Sequence, residues 1–219
     1  MKMRVLVWLV VLFCCCNVVF AQKEFVNVST HLPEHPRILL QKGEEKALKK
    51  VIMKDAVWKN IHQSLVDEAI EIVRLPLNER IMTGRRLLSV SRENLRRIFI
   101  LSYAYRMTGK SEFLKRAESE MLKAASFSDW NPSHFLDVGE MTMALAIGYD
   151  WLYPQLSERT KKAIENAIIE KGLKPSFDER YNWFVNVVFN WSQVCHAGVS
   201  YGALAVWEKE PKLAQTVIN

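Results

Sequence analysis

Apolar side chains recur three and four residues apart through most of the chain, the repeat of a helix that buries one face. Leu95, Ile98, Phe99, Ser102 and Tyr105 share such a face, with Ser89 or Ser91 placed to cap its start and Gly109 to stop its end. Phe113, Leu114, Ala117 and Met121 repeat the pattern one helix later. Val138, Met141, Leu145, Tyr149 and Leu152 repeat it again, and this run ends before Pro154. Ser157 then caps a run through Ala163, Ile164, Ala167 and Ile168 that closes at Gly172. Gly198, Tyr201, Gly202 and Ala205 line a further helix with small residues, and two glycines four apart let another backbone come close, which predicts burial. In the last segment Leu213 and Val217, then Ala214 and Ile218, stand at i,i+4 spacing with no stop signal before Asn219, which reads as a helix cut short. Sustained strand-like alternation is absent apart from an ambiguous stretch from Phe184 to Phe189. The class is therefore all-α, a succession of helical hairpins whose short loops suit a solenoid or a closed ring equally well.

The two ends of the chain change this picture in different ways. Lys2 and Arg4 precede an apolar run from Val5 to Phe13, and Val19 and Ala21 offer a small-residue cleavage site, so residues 1–21 read as a secretory signal peptide. A membrane anchor is the alternative, but the run is short against the ~20 residues a span needs and no stop-transfer pattern follows. Cys14, Cys15 and Cys16 invite a lipoprotein reading, which the bulky Phe13 opposes. The expected location is periplasmic or secreted, with no stable membrane insertion after cleavage. Residues 22–36, with Pro33 and Pro36, suit an extended segment, and 37–219 form the helical domain. The leader carries two of the 30 basic residues and none of the 24 acidic ones, which lowers the net charge from +6 to +4. It also carries three of the four cysteines, so the mature chain keeps Cys195 alone and must be stabilised by packing. A mild basic excess on an exported protein suits an acidic glycan partner or a plain mixed-charge surface. Nucleic acid is not expected, because export removes the target and no basic run is interleaved with aromatics in a recognisable motif.

Two loops concentrate aromatic, amide and imidazole groups. One runs from Phe127 to His134 and contains Trp130, Asn131 and His134; the other runs from Asn182 and Trp183 to His196 and contains Asn190, Trp191 and Gln193. Indole faces pack on pyranoses and amides bond their hydroxyls, so Trp130, Asn131, His134, Trp191, Gln193 and His196 are candidate glycan contacts. The same residue types also seal hairpin ends and cap helices, and only their clustering favours the binding reading. Asn190 falls at or just before the start of the small-residue helix, where free N–H groups and the helix dipole favour an anion such as a carboxylate; an N-cap explains an Asn there as well. Other chemistry is weaker. His31 and His35 lack partners for a zinc site, and no metal or cofactor is expected. Cys195 and His196 are adjacent, and adjacent helical side chains point about 100° apart, so they do not form a catalytic pair. Glu140 and Asp150 would be separated by about 15 Å of helix, beyond the spacing of a glycosidase pair.

Three stretches together carry a resemblance: His35-Pro36-Arg37-Ile38-Leu39-Leu40, the run Glu140 to Pro154 (EMTMALAIGYDWLYP), and Asn190 to Gly198 (NWSQVCHAG) followed by GALAVWEKEP. In this order they resemble the N-terminal helical domain of the heparinase II/III-like polysaccharide lyases. The resemblance implies an incomplete (α/α) toroid, normally followed by further helices and β-sandwich domains. It implies β-elimination on uronic-acid glycans, in which an Asn or His neutralises the uronate carboxylate and Tyr and His side chains move the protons. Asn190 matches the neutralising Asn. Trp191 stands where several relatives have His, and His196 where Asn is more usual. The catalytic Tyr and His would lie beyond Asn219. A noncatalytic glycan-binding helical module and a helical-toroid glycoside hydrolase are the rival expectations.

Overall fold

A computed structural model describes residues 32–219. The expected signal peptide, residues 1–21, and residues 22–31 of the expected extended segment, His31 among them, lie outside the described residues. Within them the protein is all-α, and the sole β-type pairing among the described residues is an isolated bridge between Thr83 and Arg86. The α-helices are α1 (Glu45–Lys54), α2 (Ala56–Arg74), α3 (Leu88–Thr108), α4 (Ser111–Ala125), α5 (Phe135–Leu152), α6 (Glu158–Ala167), α7 (Asn190–Ala205) and α8 (Pro211–Ile218). None of these helices is long and apolar enough to cross a membrane.

The helices form two layers. α5 packs most extensively against α3 and α7, and these three form the inner layer; α2 and α4 lie outside against α3, α6 against α4, and α8 against α7. Every residue of α5 except Met143 is buried. A helix enclosed on all sides has no solvent face to mark with charge, which is why its sequence is apolar all round.

Glycines set how close the inner helices come. A methyl group on Gly198 would collide with the backbone carbonyl of Gly139, so α5 and α7 cross with their main chains in contact. One helical turn further along, Thr142 fits against Gly202 through its methyl group and against Gly172 through its hydroxyl, which donates to the Val138 carbonyl at 2.7 Å. The spacing of Gly198 and Gly202 thus has the consequence read from the sequence. Gly172 does not act as the expected stop: the chain passes through it as part of a π-helical segment, Ile168–Leu173, and the residue is small because Thr142 presses on it.

Caps follow the sequence in part. Ser157 Oγ accepts the Thr160 N–H at 3.1 Å, and Gly109 takes a left-handed φ of +75° at the end of α3. Ser89 and Ser91 are not caps. α3 begins earlier, at Leu88, and the Leu87 N–H donates to the Asp137 carboxylate of α5 at 2.6 Å. A carboxylate from a neighbouring helix does the work of the local hydroxyl. The Phe184–Phe189 stretch is not a strand: Asn182–Asn186 form a 3₁₀ turn whose Phe184 is buried and packs on Phe135.

The chain before α1 is fastened by Asp150. Its carboxylate, fully buried, accepts the Arg37 N–H at 3.0 and 3.1 Å and the Ile38 N–H at 2.9 Å, and lies 2.6 Å from His35 Nδ1. The Trp151 indole N–H returns a bond to the Ile38 carbonyl at 2.7 Å. Arg37 in turn forks onto Glu208 at 2.6 and 2.7 Å, beyond the end of α7. The three stretches that carry the family resemblance therefore meet at one joint. His35-Pro36-Arg37 supplies donors, Tyr149-Asp150-Trp151 the central acceptor, and Trp207-Glu208 the outer clamp.

Candidate functional site

The two aromatic and amide-rich loops come to the same end of the inner layer, because α5 and α7 start side by side above the Gly139–Gly198 crossing. The first loop is a rigid support. Asp129 Oδ1 accepts the Asn131 N–H at 2.7 Å and is held by Arg80 at the same distance. Asn131 adopts φ +59°, a conformation Asn tolerates, and its amide donates to the Arg85 carbonyl at 2.8 Å and to Asp137 at 2.7 Å. Trp130 is completely buried, with its indole N–H on the Ala124 carbonyl at 3.0 Å. Trp130 and Asn131 thus belong to the scaffold beneath the site. Neither offers a face to a glycan, and sequence clustering overlooked that a loop between two core helices must first seal the core.

His134 is different. Its Nδ1 lies 2.6 Å from Asp137 Oδ1, while its ring meets Trp191 edge to face with centroids 4.7 Å apart at 72°. Trp191 has Trp183 on its other side at 5.0 Å, and Phe189 stands 6.3 Å from Trp183. Trp183 and Phe189 are 40 % and 48 % exposed, so an open aromatic surface surrounds the start of α7.

Asn190 is the first residue of α7 and is exposed. Phe189 occupies the cap position in extended backbone, so the helix start has no side-chain cap and the Asn190 amide is not spent as one. Among the described residues that amide has no hydrogen-bond partner, and Gln193, also exposed, has none either. The Ser192 N–H is spent on the Phe189 carbonyl at 3.0 Å, while the N–H groups of Asn190 and Trp191 and the unpaired Asn190 amide are of the kind that can receive an anion at a helix start. His196 faces the other way. Its Nδ1 lies 2.7 Å from the Ser192 carbonyl, its ring packs on Phe184 at 5.3 Å, and it lines a cleft of about 520 Å³ with Asn182, Phe184 and Ser200. His134, Trp191 and Asn190 are brought together, and His196 serves a neighbouring cleft.

Two further groups complete the electrostatics. Burial pushes the Glu140 carboxyl above the usual range, and Arg92, whose Nε donates to it at 3.0 and 3.1 Å, offsets part of that rise. The sequence reading missed Asp137, which gathers Leu87, Asn131 and His134; its position three residues after His134, one helical turn on, was the available signal.

Cys195 is fully buried and free. Burial first, then the nearby Glu140 and Asp137 charges, push its thiol up to about 12. Since His196 Nδ1 is turned to Ser192, no base activates it. A version of the protein that begins at residue 22, with Cys195 as its one cysteine, is expected to leave an aromatic disulfide reagent unreacted at neutral pH and to release one thiol equivalent only after unfolding in urea. Rapid labelling of the folded protein would restore the nucleophile.

No family model matches the chain, and a comparison with curated proteins finds no match.

Proposed function

We propose that this chain is the helical part of an exported polysaccharide lyase of the heparinase II/III-like kind, acting on uronic-acid glycans by β-elimination. On this reading its helices form an incomplete (α/α) toroid, and Asn190 neutralises the uronate carboxylate. The observation that carries the reading is the unspent Asn190 amide at an uncapped helix start, beside the exposed rings of Trp183 and Phe189 and the half-buried Trp191. A carboxylate needs donors, a pyranose needs an aromatic face, and both are present within one turn of α7. The layering also suits a toroid, in which alternate helices form an inner and an outer ring.

Glu140 and Asp150, already too far apart in sequence spacing for a glycosidase pair, are both otherwise engaged. Asp150 is fully buried and committed to the backbone of Arg37 and Ile38, and Glu140 is engaged by Arg92. Affinity electrophoresis of the purified chain through gels containing polygalacturonate, alginate or hyaluronan tests the binding half of the proposal against dextran and cellulose derivatives. Retardation is expected in at least one polyuronate and in none of the neutral gels. Retardation by neutral glycans alone would point to a binding module of another kind.

A further inference from the structure

A buried polar atom without a partner needs a reason, and His134 Nε2 is such an atom: it is closed off from solvent and has no hydrogen-bond partner among the described residues. The opposite ring nitrogen, Nδ1, faces Asp137 Oδ1 at 2.6 Å. The Asp137 carboxylate is itself fully buried and already accepts the Leu87 N–H and the Asn131 amide. A carboxylate only accepts, so Nδ1 carries a proton toward Asp137 and Nε2 is the ring atom left without a partner. Three bonds meet on Asp137 and fix the ring, and within the described residues Nε2 has no partner. Arg37 Nε, beside Asp150, and atoms of Ser91, Asn94 and Ser102 along α3 are also buried and unpaired. Of these five residues, His134 is the one packed against a partly exposed aromatic ring.

That ring is Trp191, in the first turn of α7. On its outer side Trp191 meets Trp183, with Phe189 beyond, both exposed, and Val188 beside Phe189 is fully solvated. The indole is partly buried and sits at the margin of the core, between the buried His134 nitrogen and these exposed side chains.

We propose that His134, held by Asp137, is a built hydrogen-bonding partner for a sugar hydroxyl, covered by Trp191 in the free protein and uncovered when a pyranose ring displaces the indole. The inference rests on the proposed function for the identity of the ligand, a uronate oligosaccharide whose carboxylate is taken by Asn190, the residue next to the cover. A sugar hydroxyl can donate to or accept from an imidazole nitrogen, and turning the indole gives the sugar both an aromatic face and Nε2. His134 acts here by binding and positioning.

The test has two arms, both on the purified chain. In the first, diethyl pyrocarbonate acylates accessible neutral imidazoles, and peptide mass mapping follows His134. The wild type is expected to react at His134 far more slowly than the urea-unfolded chain, and Trp191→Ala more than about tenfold faster than wild type at unchanged circular dichroism. Trp191→Val is the second variant in case alanine loosens the helix start. If His134 stays unreactive in every folded Trp191 variant, or reacts in the wild type as it does unfolded, Trp191 is not its cover and the inference falls. In the second arm, calorimetry with hexagalacturonate compares wild type with His134→Phe, which keeps a flat ring and removes Nε2. About tenfold weaker binding by the variant is expected. Equal binding overturns this inference alone. A wild type that binds no oligouronate overturns the proposed function and the sugar with it, irrespective of the reactivity of His134.

Discussion

Replacing Asn190 by alanine is expected to slow elimination by about 10²- to 10³-fold, roughly 2.7–4 kcal/mol of lost stabilisation of the developing charge. The rate is measured on protein that includes the catalytic Tyr and His that the resemblance places after Asn219. The direction follows from where the amide sits: exposed, unpaired, and at a helix start that no side chain caps. Because the amide makes no cap bond, its removal should leave the melting temperature nearly unchanged, whereas loss of a working N-cap costs about 1 kcal/mol of stability. Rate and stability therefore separate the two roles. Asn190→Asp should be at least as harmful, since it sets a negative charge against the carboxylate to be neutralised. An alanine variant that keeps its rate and melts earlier would show the residue to be a cap after all.

The largest effect on stability is expected from Asp150→Ala. This carboxylate holds two backbone N–H groups and His35 at a fully buried position, and the segment it fastens carries Arg37 to Glu208. Removing one partner of a buried charged network leaves the others unpaired, at a cost of about 3–5 kcal/mol. In a domain of this size each kcal/mol lowers the melting temperature by about 2–4 °C. Urea titration should show a reduced midpoint with little change in slope, because the exposed surface on unfolding is nearly the same. Glu208→Gln is the informative control. Its side chain is 60 % exposed, so it should cost about 1 kcal/mol or less. A small effect of Asp150→Ala would mean that the joint between residues 35–38 and α5 does not contribute to holding the fold.

These expectations show what the residues disclosed and what they concealed. Helix positions were legible because a helix half-exposed to water writes its geometry into the sequence. Phe113, Ala117 and Met121 are all buried on α4, as their spacing requires. The close crossing of α7 was legible from Gly198 and Gly202, since only a neighbour's backbone explains two absent side chains on one face. The start of α3 was not, because its capping group, Asp137, comes from a helix about 50 residues away and local rules see only local oxygens. Gly172 misled for a related reason: a glycine made small by a packed threonine looks in sequence like a glycine made flexible for a turn. At the candidate site, the clustering of Trp130, Asn131 and His134 marked a loop that does reach the start of α7, through His134 and Trp191, but not the division of labour within it. Burial assigns Trp130 to the core and leaves His134 at the boundary, and no one-dimensional pattern carries that distinction.

The chemistry of the product tests the central claim most directly. Protein carrying this chain together with the catalytic groups proposed to follow it would be incubated with polygalacturonate, alginate, hyaluronan and heparan sulfate, with ultraviolet absorbance and new reducing ends followed in parallel. The account predicts that on at least one of these polymers the two signals rise together, one unsaturated uronate for each bond broken, and that both are lost in Asn190→Ala. New reducing ends without ultraviolet absorbance would mean hydrolysis, and would contradict it.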